Sequence, residues 1–533
     1  MRITAVMAVG VAVLGAGLAR AQLRPEEVLV IYDSRIPDSR AVAEYYAGSR
    51  KVPGGEGGLL GARPGVRVVD LASLGAPITT GPDITYAAFA TSLRNPLRAH
   101  LASQNLTREL RCFVMTKGLP HRLLDTDTGT AADNPTLLVD EFNASDPTMA
   151  SVDTELMLLW LDLDAGEAGG PADSKADGAI LNPYWKAAVP IRHYPQTNID
   201  TTARTFTASM PGPTWTPTGT APARILQGDL YLVSRLDAPS VADVRGMIDR
   251  AGSIYYDTLT HAAILDESGS NGVADGGPNG EFDNAASAFP SMRDADDYEI
   301  TRDEILADTR FASAFAQYNA AGGGNQFYVG PLQTWQAGAL VHAGPVVLVT
   351  SYGANHAGRP STTGGQIADT IYATSFNLAH GAIINTMESF NGRAFGGLGQ
   401  NPYVNQMQVS AFLAGGGTFG VGNVWEPLAD TVPDSRYLAR NFIRGEMSWA
   451  EAAASATPAI SWMQITLGDP LARAFRSSED LNADQRRTVD DLYAWEQSPS
   501  DVDRNGTINA ADRAYVIRAA RAWERADLLT GRR

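Results

Sequence analysis

The sequence predicts an α/β protein of mainly parallel sheets flanked by helices, with a small all-α module at the C-terminus. Three observations carry that expectation. Short continuous apolar runs rich in β-branched residues recur along the chain, which is how strands buried on both faces read. A turn and an amphipathic stretch of helical period follow several of them, the repeating unit of an α/β fold. The pattern stops at Leu471 to Phe475, and the composition beyond it becomes polar and acidic.

Val28-Leu-Val-Ile-Tyr32 is the first such strand, Asp33-Ser34 its turn, and the stretch through Tyr46 its helix. Leu110 to Thr116 and Leu230 to Ser234 read as strands, with Val241 to Ala251 as the helix after the second. Pro345 to Thr350 and Ala382 to Asn385 are strands on either side of a helical segment from Gln366 to Leu378. Gln408 to Ala414 then reads as a helix and Thr418 to Gly422 as a strand. Thr201 to Ala223, rich in Thr, Pro and Gly, reads as a surface excursion, and Asp266 to Asn284 as a long loop dense in Gly, Asp and Asn. A polar break, Arg476-Ser-Ser-Glu479, closes the body. The expected organisation is therefore two α/β units over 22–245 and 246–475, and a separate module over 479–533.

The first 21 residues read as a removable secretory signal: Arg2, an apolar run of 13 residues from Val6 to Leu18, and the small-x-small site Ala19-Arg20-Ala21. That run is short of the roughly 20 residues an anchor needs. No later stretch is apolar enough to span, so the expected mature chain is soluble and secreted or otherwise extracytoplasmic. The net charge of -17 argues against nucleic acid and anionic membranes as partners, since both require clustered Lys and Arg. The single cysteine, Cys112, has no partner for an internal disulfide and sits in an apolar strand, where a thiol is inert packing.

The strongest chemical motif is Asp501-Val-Asp-Arg-Asn505-Gly-Thr-Ile-Asn-Ala-Ala-Asp512. Ca²⁺ takes six to eight hard oxygens, and a loop with oxygen-bearing side chains at positions 1, 3, 5 and 12 supplies most of them. Asp501, Asp503, Asn505 and Asp512 hold those positions, Thr507 offers its carbonyl, Gly506 permits the sharp turn, and Ile508 is expected to point into a core. The loop runs into a helix from Arg513 to Leu529, with Ala514, Ile517, Ala520 and Leu528 as its expected buried face. A second, degenerate loop lies 21 residues earlier (501 minus 480): Asp480, Asn482, Asp484 and Asp491, with Gln485 in place of the glycine and Arg487 in place of the apolar residue.

Two such loops, each followed by a helix, resemble a dockerin module. That resemblance implies a calcium-dependent attachment to a cohesin-like partner or another extracellular assembly, often one acting on polysaccharides. The stretch from Val346 to Leu471 resembles the caspase-like peptidases, especially the gingipain and CHAT-domain branches. It carries His356-Ala-Gly after one strand, Met387-Glu388-Ser389 after the next, a Gly-rich turn at Gly415 to Gly417, a strand ending Gly422-Asn-Val-Trp425, and a closing Gly468-Asp-Pro. The chain as a whole is similar to a family of exported bacterial proteins with no assigned activity. The motifs in question are Val30 to Ser34, Thr116 to Pro120, Ser151 to Leu156, Val233 to Asp237 and Ser461 to Pro470.

Carried over, the peptidase resemblance puts His356 near the catalytic histidine and Met387 on the catalytic cysteine. A thioether has no ionisable proton and cannot attack a carbonyl. Three readings stay open. The body is a binding scaffold that has lost catalysis; or a hydrolase with Ser389 as nucleophile, His356 as base and Glu388 or Asp469 orienting the imidazole; or a polysaccharide-associated structural component. Ser389 is also a residue type that closes turns on its own backbone. Asp153 and Glu155 read as acids at a helix N-terminus, and Trp425-Glu426-Pro427 as a cleft wall or a strand end.

Overall fold

The protein is described from a computed structural model. It covers residues 23–124 (56, 57 and 59 excepted), 150–160, 180–188 (183 excepted), 199–200, 224–225, 230–267, 298–319, 326–329, 334–337, 344–352, 376–387, 390–395, 408–427 (426 excepted), 431–502 (485 excepted) and 506–530. The expected surface excursion, nearly all of the long loop and most of the Gln366–Leu378 helix lie outside the described residues. Asn377 and Leu378 are described, and they begin a strand instead.

Ten strands build one sheet: β1 Val28–Tyr32, β2 Arg67–Asp70, β3 Cys112–Thr116, β4 Leu232–Leu236, β5 Ala262–Glu267, β6 Ala316–Asn319, β7 Pro345–Tyr352, β8 Asn377–Asn385, β9 Phe419–Asn423 and β10 Gln464–Leu467. Their spatial order is β6-β5-β7-β8-β9-β10-β4-β3-β1-β2. Eight of the nine pairings are parallel. The exception is β9 with β10, antiparallel from Gly420 opposite Leu467 to Asn423 opposite Gln464. The sheet is thus two parallel halves of five strands sharing one antiparallel seam. The strands of one half end where those of the other begin, and this decides where chemistry can gather.

The strands form because they are apolar without interruption. Every residue of β1, β3, β4 and β9 is buried, the signature of strands covered on both faces. The main helices are α1 Pro37–Ala47, α2 Asn95–Ser103, α3 Val152–Met157, α4 Val241–Ala251, α5 Tyr298–Leu306, α6 Gln408–Ala414, α7 Trp449–Ala456, α8 Val489–Gln497 and α9 Ala510–Thr530. Local chemistry starts them. Pro37 takes the first turn of α1, where its missing N–H costs nothing. Ser240 with Asp243 and Ser448 with Glu451 form capping boxes on α4 and α7. Packing orders the layers: α4 lies against α1, α6 and β8, while α3 packs on β4 and β10. Among the described residues no helix is long and apolar enough to cross a membrane.

The seam is locked by aromatic packing. Phe419 stacks on Trp449 at 4.4 Å between ring centroids, and Phe442 meets both edge-on. Gly468 closes β10 at φ 129°, where an added Cβ would sit 2.3 Å from Phe419 Cδ1, so only glycine fits.

Candidate functional site at the end of the second half-sheet

Of the residues the sequence singled out for catalysis, His356, Glu388 and Ser389 lie outside the described residues. Met387 is described: it follows β8 and is 8% exposed. The turn beyond it is tied by Asn391, whose Nδ2 donates to Thr386 Oγ1 at 2.8 Å and whose Oδ1 accepts from the Asn423 N–H at 2.6 Å. Asn385 anchors the strand end by donating to the Pro433 carbonyl and to Ser435 Oγ.

Two other expectations are settled by position. Cys112, the chain's one thiol, is fully buried in β3, and burial pushes its pKa well up, with Asp469 and Glu451 adding to the effect. It is inert packing, as the apolar run implied. Asp469 cannot orient a histidine beside Met387. It follows β10, at the edge opposite the ends of β8 and β9, and its carboxylate is fully engaged. Oδ1 accepts from Tyr46 Oη at 2.6 Å and Oδ2 from Arg63 Nε at 2.7 Å, with Arg63 Nη2 at 2.6 Å.

The five short motifs converge in space. Arg235 of β4 is fully buried and donates to both Asp153 oxygens and to the Leu119 and Pro120 carbonyls. Lys117 donates to Asp237 Oδ1 at 3.3 Å and to the Ala238 carbonyl at 2.7 Å. Burial raises the Asp237 pKa against the pull of Lys117 and Arg235. Ser461, at φ 54°, donates to Glu155 Oε1. Asp33 takes a bidentate contact from Arg35, and Ser39 bonds Thr116. Asp153 and Glu155 do lie in the first turn of α3, behind the Ser151 cap. They are also buried partners of distant side chains, which spacing alone did not reveal.

The segment after β3 folds back over Arg235 and reaches the end of the second half-sheet. There the His121 Nε2 donates to the Arg393 carbonyl at 2.7 Å, and the imidazole lies edge-on to Phe395 at 5.2 Å. Burial, then Arg235 and Arg122, hold the His121 pKa well below the usual value, so the ring is neutral with Nδ1 unprotonated. Arg122, 2% exposed, is gripped along one edge by Asp83: Nη2 donates to Oδ2 at 2.7 Å and Nε lies 2.6 Å from Oδ1. Its guanidinium sits 5.2 Å from the Trp425 ring centre, and that of Arg393 sits 4.5 Å from the same ring. Trp425 is therefore both a strand end and the wall of a cationic cluster. Sequence reasoning missed His121, Arg122 and Arg393, because nothing in their local spacing marks them.

The C-terminal module shows a structural duplication. Asp491 accepts from the Leu481 and Thr488 N–H groups, and Asp512 from those of Val502 and Asn509, each partner displaced by 21 residues (502 minus 481). Asp501 Oδ2 accepts from Gly506 at 2.8 Å, with Gly506 at φ 88° as the sharp turn requires. Asp503 and Asn505 lie outside the described residues, and among the described residues no group of three or more acidic, His or Cys side chains is placed to hold a metal ion. Two expectations need correction. Ile508 is 57% exposed instead of buried. On α9 Ala520 is buried as expected, but Ala514 and Ile517 are only half-buried; Val516 and Ala519 complete the buried face, with Val516 meeting Trp495 and Val502 in a small core. The two charged ends of the polar break before the module, Arg476 and Glu479, are buried. Glu479 is enclosed by Arg476, Arg487 and Arg310 and accepts from Tyr515 Oη at 2.7 Å, which clamps the module to the body.

No protein-family model matches the chain. No curated protein matches it either. Among solved structures, the complex of the pro- and mature domains of RgpB from Porphyromonas gingivalis aligns over 84% of this chain and 80% of that chain, at 10% identity and a TM-score of 0.36. Likeness at that level fixes no residue correspondence.

Proposed function

We propose that this is an exported binding protein. Its body is a caspase-like α/β scaffold without the catalytic thiol, and its C-terminal module is a calcium-dependent, dockerin-like attachment to a cohesin-like or other extracellular partner. The observation that carries the reading is Met387, held 8% exposed at the end of β8, where this chemistry needs a thiolate. Support comes from Cys112, which is sealed in β3 and cannot substitute for it. Calcium would be held by side-chain oxygens of Asp501, Asp503, Asn505 and Asp512 and by the Thr507 carbonyl, supplying charge neutralisation and local folding energy.

The test is a peptide and ester substrate screen on the full chain, beside Ser389→Ala, His356→Ala and Cys112→Ser. The expected result is no turnover and no effect of a thiol-directed inhibitor. Turnover abolished by Ser389→Ala and by His356→Ala would replace the scaffold with a serine hydrolase, since a nucleophile and its base act as a unit. Turnover lost in folded Cys112→Ser would overturn the assignment of Cys112. Calorimetric titration of the full chain with Ca²⁺, before and after EDTA, tests the module. One calcium-dependent heat per chain is expected, and its absence would remove the attachment reading.

A further inference from the structure

Among the described residues, the buried donors without acceptors at the end of the second half-sheet include Arg122 Nη1 and Trp425 Nε1. Arg122 Nη1 and Trp425 Nε1 are both buried, on side chains 2% and 3% exposed, and among the described residues neither meets a hydrogen-bond partner. Native proteins rarely leave such groups unmade, because a buried donor without an acceptor forfeits its hydration with no return. These two come from segments about 300 residues apart in sequence, yet the Arg122 Cζ lies 5.2 Å from the Trp425 ring centre.

The supporting contacts fix both donors in place. Asp83 occupies the Nε and Nη2 edge of Arg122, which leaves Nη1 as the free end of the fork. Trp425 is held through its backbone: its carbonyl accepts from the Phe390 N–H, and the Val424 N–H before it bonds the Met463 carbonyl. The guanidiniums of Arg122 and Arg393 lie over the ring, whereas the indole N–H lies in the ring plane, so stacking does not consume it.

We propose that Arg122 and Trp425 form a binding site for one carboxylate group of a ligand, with Arg122 Nη1 and the Trp425 indole N–H as its donors. The chemistry selects a monoanion. Asp83 already takes one edge of Arg122, so a dianion such as phosphate would bring two negative charges up to a carboxylate that a monoanion meets with one. Charge-assisted donors at fixed positions favour a planar two-oxygen acceptor. The site deepens the scaffold reading by naming what the scaffold binds, and the two fail separately. Turnover in the substrate screen sinks the scaffold and leaves the site, whereas absent carboxylate binding sinks the site and leaves the scaffold.

The experiment uses the full chain with sodium acetate, succinate, inorganic phosphate and neutral acetamide at matched ionic strength, read by thermal shift and by calorimetry. Acetate and succinate should raise the melting temperature, acetamide should not, and phosphate should act more weakly than acetate. Trp425→Phe keeps an aromatic face for the guanidiniums and removes the N–H together with the pyrrole half of the indole; read against the variant's own melting temperature without ligand, it should weaken acetate binding by roughly tenfold or more, as expected for a lost donor to a charged group. Arg122→Gln should weaken it further, but it also frees Asp83 and can fail to fold, so Trp425→Phe decides. Acetate no better than acetamide, phosphate better than acetate, or unchanged binding in Trp425→Phe would each overturn the proposal.

Discussion

The two ends of the sheet carry the same kinds of residue to different effect. Where the first half ends, each charge described has an answer: Asp33 with Arg35, Lys117 with Asp237, Asp469 with Arg63 and Tyr46. Where the second half ends, Arg122 is answered on one edge only, a neutral histidine stands beside it, and an indole N–H has no acceptor among the described residues. The contrast separates architecture from site. A buried ion pair with all its valences filled holds the chain, and truncating one member is costly. A buried donor left over is where a ligand has something to gain.

The largest effect expected from this contrast is at the first end. Asp469→Asn leaves Arg63 buried without a counter-charge and should cost about 3–5 kcal/mol in urea unfolding of the full chain. A loss under about 1 kcal/mol would show that this end is not the clamp it resembles. Glu479→Gln sharpens the same rule at the module. The amide oxygen still accepts from Tyr515, but Arg476 and Arg487 lose their shared counter-charge, so a comparable cost of about 3–5 kcal/mol is expected, together with faster proteolysis of the segment beyond 479. Burial opposes ionisation of Glu479, yet Arg476, Arg487 and Arg310 outweigh it and hold its carboxyl below the usual glutamate value. Its contribution is therefore complete above the unfolded pKa, near 4.5, and lost as pH falls through the depressed folded one.

At the second end the expected effect is smaller and has the character of a titration. The folded-state pKa of His121 is depressed, so below the unfolded value of 6.5 the unfolded chain binds a proton that the folded chain refuses. Stability should fall by about 1.4 kcal/mol per pH unit from that point downward. His121→Gln keeps a donor for the Arg393 carbonyl and should flatten this limb between pH 7 and 5.5; an unchanged slope would place the titrating group elsewhere. Last, Arg513 and Glu496 pair at the surface, at 47% and 45% exposure. Glu496→Gln should change stability by less than about 0.5 kcal/mol, the baseline against which the other three are read.

Much of this body was legible in the sequence because its signals are local. β1, α4 and α6 fall on the residues that apolar runs and helical period marked. Two of the missed strands are short and mixed. β2 is Arg-Val-Val-Asp and β10 is Gln-Ile-Thr-Leu, and neither carries a run long enough to stand out. The candidate site was hidden for a different reason. Arg122 and His121 follow a strand by only a few residues, but their partners at 393 and 425 are set by the path of the chain across the sheet. Ile508 misled because an apolar residue inside a calcium-type loop carries no marker of which side of the loop it faces.

The antiparallel seam also governs the order in which the chain can be completed. β10 lies between β9 and β4, so the inner edge of each half stays open until residues 464–467 arrive, long after β4 at 232–236 exists. Contacts of such sequence separation form late and slowly, and open strand edges invite pairing with other chains in the meantime. The four residues of β10 thus act as a closing wedge: until they insert, the molecule is two half-sheets with sticky margins, and refolding should be most prone to aggregation in that interval.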